Sequence, residues 1–249
     1  MLVRRLSQFL MIYFIALFVL LALKYILSLS DYVIPGPVLI WQTGTVELRR
    51  YFGDVLDTLR VAVIGQLLAI VLALLVGITG RKATWFGTFV KVAAFNIQAY
   101  PIVAIAPIIF ILLGDGFLTR LLIASMICYF PILLSVLGIM SEPIEAIEHF
   151  YRQTGRMRWQ LEVKIRAFEN LGKLTTVIAG SSTLAMAGTI VAEFIAANAG
   201  IGYSIRIALY QSDLAKIVVA LFVIGITLSI YQSLLEWTGG VFKRAWTGR

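Results

Sequence analysis

Apolar residues gather into six runs along the chain, separated by short polar segments. The hydrocarbon layer of a bilayer is about 30 Å thick, so a helix needs roughly 20 apolar residues to cross it. The runs cover residues 9–29, 59–79, 95–113, 118–140, 174–196 and 214–235. The pattern therefore predicts an all-α polytopic membrane protein with six transmembrane helices in a single domain over residues 1–249.

The composition strengthens this prediction. Hydrophobic residues make up 60% of the chain and charged residues 14%, whereas soluble domains average about 45–50% and about 25%. The single cysteine, Cys128, and the single histidine, His149, exclude an internal disulfide and a Cys/His metal cluster. We therefore expect neither a metal nor a cofactor, and a surface covered by membrane lipid.

Lysine and arginine residues fall mainly on one side of the predicted spans. With the amino terminus placed in the cytoplasm, about fourteen cations lie on the inner side and about six on the outer side. The outer cations are balanced by acids, so the net charge of +8 lies on the inner face. This bias predicts that both termini are cytoplasmic. The cations are also divided among separate segments, which argues against nucleic-acid binding.

The sequence lacks the residues that an energy source or an enzyme would need. Its Gly172-Lys173 pair is followed by Leu174, so it does not form the phosphate-binding loop of an ATPase. With Arg60, Arg120 and Lys216 at the run ends counted among the outer charges, Lys24 and Glu193 are the charged residues left inside the runs, too few for the relay of an ion-coupled carrier. We expect no catalytic residues, and ATP hydrolysis on a separate subunit.

The longest predicted cytoplasmic segment, residues 141–173, has the pattern of two short helices. Pro143 and the acids that follow it suit a helix start, and Gly155 suits its end, which predicts a helix over about 143–154. Apolar residues then recur on one face at Met157, Leu161, Ile165 and Phe168. Such a helix pair suits a lever moved by a partner, and a solvated loop that follows the positive-inside rule is the alternative.

Several motifs resemble the permease subunits of binding-protein-dependent ABC importers. They are Gly155, residues 158–161 (RWQL), residues 192–194 (AEF) and residues 198–203 (NAGIGY). Residues 34–41 (IPGPVLIW) resemble the entry segment of the nitrate/sulfonate/taurine branch. The family's Glu-Ala-Ala motif is divergent here, because His149 stands where its glutamate would fall and the Glu145-Ala146 pair is out of register.

The resemblance implies a permease that works with three partners in a bacterial inner membrane. These are a cytoplasmic ATP-binding subunit, an extracytoplasmic solute-binding protein and a second permease copy, expected to form a homodimer. The residues that would couple to the ATPase are Glu145, Ala146, His149, Gly155, Arg158, Trp159 and Leu161.

Polar residues in the third and fifth runs are candidates for the translocation path. Proline residues at 101 and 107 predict that the third run is kinked or broken. The path candidates are Gln98, Tyr100, Ser181, Ser182 and Glu193. Glu193 is a candidate gate residue or a partner of Arg206, and close helix packing is the alternative role for the small residues of the fifth run. We expect Lys24 to snorkel.

Two other functions stay open. In the first, the chain is the accessory half of a heterodimeric permease, which the altered Glu-Ala-Ala segment favours. In the second, the chain is a membrane scaffold that binds a partner and transports nothing.

Overall fold

The computed structural model describes residues 2–80, 85–98, 100–141 and 159–247, and the structural statements below concern those residues. This part of the chain forms nine α-helices. They are α1 (Leu2–Ile26), α2 (Pro37–Thr79), α3 (Trp85–Gln98), α4 (Ile102–Leu113), α5 (Phe117–Ser141), α6 (Trp159–Glu169), α7 (Leu171–Ile195), α8 (Ile201–Tyr210) and α9 (Leu214–Thr247). The all-α membrane fold predicted from the sequence is confirmed.

Five of these helices are long and apolar enough to cross a membrane, namely α1, α2, α5, α7 and α9. The third predicted run is divided between α3 and α4, and Tyr100 and Pro101 lie outside both helices. The predicted break is therefore present. With 12 residues, α4 is about 18 Å long, so it does not cross the hydrocarbon layer alone.

Helix α2 begins much earlier than the apolar run that predicted it. It starts at Pro37, next to its N-cap Gly36, and continues for 43 residues. The predicted span over residues 59–79 is thus the second half of a longer helix, because apolar content marks the lipid-crossing part and not the polar turns that continue the same helix. Proline is favourable in the first turn, where its missing N–H needs no partner.

The core forms where α5 packs between α2 and α7. A Cβ at Gly65 of α2 would lie 3.0 Å from the Ala124 Cβ, and one at Gly188 of α7 would lie 2.9 Å from the Ile127 Cδ1. Small residues on both sides of α5 therefore let the three helix backbones approach closely. Larger buried side chains, among them Leu133 and Met186, fill the space around these contacts.

Helix α1 lies at the edge of the bundle and packs on α9. The Tyr13 hydroxyl donates to the Val218 carbonyl at 3.1 Å, and Arg5 forms an ion pair with Glu236. At its other end Lys24 is 8% exposed, pairs with Asp31 and donates to the Ile34 carbonyl at 2.7 Å. The expected snorkelling of Lys24 was wrong, because its ammonium group instead fixes the turn between α1 and α2.

Part of the predicted cytoplasmic helix pair is described. The second predicted helix is present as α6, which packs on α5 and α7. The Arg166 Nη1 donates to the Met140 carbonyl at 2.8 Å, which attaches α6 to the end of α5. The first predicted helix, over residues 143–154, lies outside the described residues.

Candidate functional site

A fully buried carboxylate, Glu193, lies in the last turn of α7 and is 0% exposed. Its Oε2 accepts hydrogen bonds from the Thr58 hydroxyl at 2.8 Å and from the Gly202 N–H at 3.0 Å. Its Oε1 lies 3.4 Å from the Arg120 Nη1. Burying a carboxylate is costly unless it is paired and hydrogen-bonded, and the contacts on both oxygens meet that condition.

Thr58 links the carboxylate to the start of α8. Its hydroxyl oxygen accepts from the Ile201 N–H at 2.9 Å and its hydroxyl group can donate to Glu193. The first N–H groups of a helix have no partner within the helix. Here two of them, at Ile201 and Gly202, are satisfied by Thr58 and Glu193. The acid also lies at the positive end of the α8 dipole.

Arg120 lies between two carboxylates. Its Nη1 is 2.9 Å from the Asp57 Oδ2 and 3.4 Å from the Glu193 Oε1. Asp57 is partly open to solvent, with a side chain 40% exposed, whereas the Arg120 side chain is 11% exposed. The guanidinium group therefore compensates the buried acid and the more exposed acid at once.

Two glycines allow the chain to turn closely around Glu193. Gly200 has φ 90° and ψ 171°, a conformation that is essentially restricted to glycine. A Cβ at Gly200 would lie 2.1 Å from the Glu193 Oε1, and a Cβ at Gly202 would lie 2.4 Å from the Ile190 carbonyl oxygen. The glycines thus bring the start of α8 onto the carboxylate.

Arg206 binds the carboxyl-terminal end of α7 and does not pair with Glu193. Its Nη2 donates to the Ala197 carbonyl at 2.6 Å and its Nη1 to the Phe194 carbonyl at 3.3 Å. The suggested Glu193–Arg206 pair was therefore wrong. The arrangement is reciprocal, since an acid from α7 caps the positive end of α8 and a cation from α8 caps the negative end of α7.

We call residues 193–206 the α7–α8 corner, and further polar contacts attach it to its neighbours. The Ser204 hydroxyl donates to the Asp54 Oδ2 of α2 at 2.6 Å. The Asn198 backbone N–H and side-chain Nδ2 donate to the Asp115 Oδ2, at 3.1 Å and 2.6 Å. The corner is therefore tied to α2, to α5 and to the segment before α5. Its chemistry is charge compensation and hydrogen bonding, which suits holding a helix in place.

Ser181 and Ser182 are buried within the helix bundle of this chain. Ser181 is 3% exposed, and its hydroxyl accepts from the Gln66 Nε2 at 2.8 Å and donates to the Ile178 carbonyl at 2.9 Å. Ser182 is 0% exposed and donates to the Ala179 carbonyl at 2.6 Å. Both hydroxyls therefore serve contacts within the bundle, and their role in a path stays a prediction.

The remaining predicted residues are apart from the α7–α8 corner or outside the described part. Gln98 is the last residue of α3, and Tyr100 is 64% exposed beside the break. Trp159 and Leu161 lie in the first turn of α6. The other coupling candidates lie outside the described residues, and they are Glu145, Ala146, His149, Gly155 and Arg158.

Sequence reasoning found Glu193 and missed its partners. The sequence pattern places Asp57 and Arg120 only among the outer charges whose sum is near zero, and it gives Thr58 no role. The available signal was weak: Arg120 lies in the first turn of a predicted span, where cations are common. The contacts that join Glu193 to Thr58 and to Arg120 cross 135 and 73 residues of sequence.

Five helices that are long and apolar enough to cross a membrane define an integral membrane protein. Residues 65–246 match the family described as the inner membrane component of binding-protein-dependent transport systems. The chain belongs to this family.

The chain is similar to two transport permeases, to the first over about half of its length and to the second over most of it. It is 39% identical over 136 residues to the riboflavin transport system permease protein RibX of Chloroflexus aurantiacus, a match that covers 54% of this chain and only 50% of that protein. It is 22% identical over 220 residues to the formylaminopyrimidine transport permease protein ThiX of Halalkalibacterium halodurans, covering 86% of each chain.

Proposed function

We propose that this chain is the permease subunit of an ATP-driven importer and carries a small, uncharged solute with a nitrogen-containing aromatic ring. The observation that carries the proposal is the family match over residues 65–246. The solute class is suggested by the relatives, since riboflavin and formylaminopyrimidine, which name their transport systems, both contain a pyrimidine-type ring.

The mechanism we propose is alternating access in a complex of two permease copies and two ATPases. The ATPases would bind the loop over residues 141–173, and the attachment of α6 to α5 and α7 supports this idea. The Arg166 contact with the Met140 carbonyl gives a direct route for a push on α6 to reach a membrane-crossing helix. A solute-binding protein would deliver the solute on the opposite face.

Reconstitution into proteoliposomes tests the proposal. The transporter is purified with its ATPase subunit through a tag on this chain, and its ATP hydrolysis and riboflavin uptake are measured with the co-expressed binding protein. We expect riboflavin or a formylaminopyrimidine to stimulate hydrolysis and to accumulate inside. Accumulation of neither solute, with ATP hydrolysis intact, would reject the solute class. If no ATPase subunit is purified with this chain, the proposal that the chain belongs to an ATP-driven importer is rejected.

The same preparation separates the homodimer from its alternative. We expect one permease type in two copies, and a second, different permease in the purified complex would instead favour the accessory role.

A further inference from the structure

Helix α4 differs from its neighbours because it carries no polar side chain. All of its residues, from Ile102 to Leu113, are alanine, valine, isoleucine, leucine, phenylalanine or proline. Side-chain hydrogen bonds therefore cannot fix it to the bundle. Pro107 lies inside the helix and lacks a backbone N–H, so one backbone hydrogen bond within α4 is also missing.

Helix α4 packs against the rest of the bundle through a small apolar cluster. Ala106 and Phe110 of α4 are buried together with Ile123 of α5 and with Ala192 and Ala197 near the α7–α8 corner. Apolar contacts are non-directional, whereas hydrogen bonds require a fixed geometry. A helix held by such a cluster can slide across small alanine side chains without breaking a hydrogen bond.

The far side of α4 is open. Ile108, Ile111 and Leu112 are 55%, 83% and 76% exposed in this chain. Their exposure means that no other described helix of this chain closes over α4. A displacement of α4 toward this side therefore meets no obstacle from the helices that the structure describes.

A glycine joins α4 to a fixed point. Gly114 has φ 75° and ψ 178°, and a Cβ there would meet nothing within 4 Å. The Gly114 carbonyl accepts from the Thr119 hydroxyl at 2.7 Å, and the next residue, Asp115, is held by Asn198. The chain is thus anchored immediately after Gly114, so rotation at this glycine moves α4 and leaves α5 in place.

We propose that α4 is the moving part of the outer gate and that the α7–α8 corner is the fixed surface against which α4 closes. This inference rests on the proposed transport function. Hydrogen bonds of Glu193, Ser204 and Arg206 hold α8 and would break if α8 moved. Asn198 attaches the segment before α8 to Asp115. Gly114 is the hinge.

Hydrogen–deuterium exchange on the complete transporter tests the inference. The complex with its ATPase is placed in phospholipid nanodiscs and compared without nucleotide and after trapping with ATP and orthovanadate. We expect amide exchange in residues 102–113 to change by about tenfold or more, and exchange in residues 196–210 by less than about twofold. Equal changes in both segments, a larger change in residues 196–210, or no change in either would overturn the gate.

Two glycine variants form a matched pair for the hinge. Gly114→Ala should reduce the nucleotide-driven change in residues 102–113, because alanine disfavours φ 75°. Gly116→Ala should leave that change intact, since Gly116 also has open space around it but no positive φ. Equal behaviour of the two variants would overturn the hinge. A complex that traps no nucleotide would overturn the importer function itself, whereas trapping with an unchanged α4 would overturn only the gate.

Discussion

The close packing of Gly200 on Glu193 makes a quantitative prediction for Gly200→Ala. The backbone at Gly200, with φ 90° and ψ 171°, would cost an alanine about 1–3 kcal/mol. The new Cβ would also lie 2.1–2.4 Å from the Glu193 carboxylate, so the carboxylate must move. Losing one hydrogen bond to a charged group costs about 1.5–3 kcal/mol. We therefore expect a total loss of about 2.5–6 kcal/mol of stability.

The single cysteine provides the assay. Cys128 of α5 is 0% exposed, so a fluorogenic maleimide reacts with it only when α5 separates from its neighbours. A loss of about 3 kcal/mol should accelerate labelling of the chain in nanodiscs by about 10²-fold. Gly53→Ala is the matched control, because Gly53 is an exposed helical residue whose Cβ would meet nothing within 4 Å. That variant should be unchanged or slightly slower.

A double-mutant cycle separates the two causes. In a Glu193→Ala background the clash disappears, so Gly200→Ala should cost only the backbone part of about 1–3 kcal/mol. Wild-type labelling rates in Gly200→Ala would refute the reasoning outright. An equal cost of Gly200→Ala in both backgrounds would show that the carboxylate contact contributes nothing.

Three further predictions use other contacts. Arg120→Ala leaves Glu193 buried without a cation, and we expect a loss of about 3–5 kcal/mol, measured by Cys128 labelling. Gln66 is 1% exposed, so Gln66→Leu should cost about 1–3 kcal/mol in the same assay by leaving its partners unbonded. The hydrogen bond from Lys24 holds the pKa of Asp31 below its ordinary value of 3.8. The ion pair between Lys24 and Asp31 is therefore fully formed above pH 3.8 and is lost as the pH falls through the lowered pKa of Asp31. Limited proteolysis of residues 27–36 should increase at that acidity, and at all pH values in Asp31→Asn.

The parts of the fold that could be predicted depend on properties of short segments of the sequence. Bilayer thickness sets the length of an apolar run, so the spans could be recognised one by one. Proline at position 101 could be recognised as a break for the same local reason. Glu193 could be singled out because an acid inside an apolar run is expensive wherever the rest of the chain lies.

The parts that were missed depend on contacts between distant segments. Ser181 and Ser182 lie in a helix with small residues on several faces, so its sequence pattern does not tell which face meets another helix. Gln66 of α2 determines which face is buried, because its side-chain Nε2 donates hydrogen bonds to the Ser181 hydroxyl and to the Ile178 carbonyl. Likewise, nothing local distinguishes Arg120 from an interfacial arginine until α2 and α7 bring Asp57 and Glu193 beside it.

The pairing of charges on the predicted outer side bears on the proposed solute. Their sum near zero could have hidden separate acidic and basic patches, either of which would attract a charged solute. Instead several acids lie beside cations of their own, namely Asp57 with Arg120 at 2.9 Å, Asp213 with Lys216 at 3.2 Å and Glu47 with Arg50 at 3.8 Å. Paired charges produce a field that decays quickly and is further screened by salt. These pairs therefore give little attraction for an anion, which agrees with the uncharged solute that we propose.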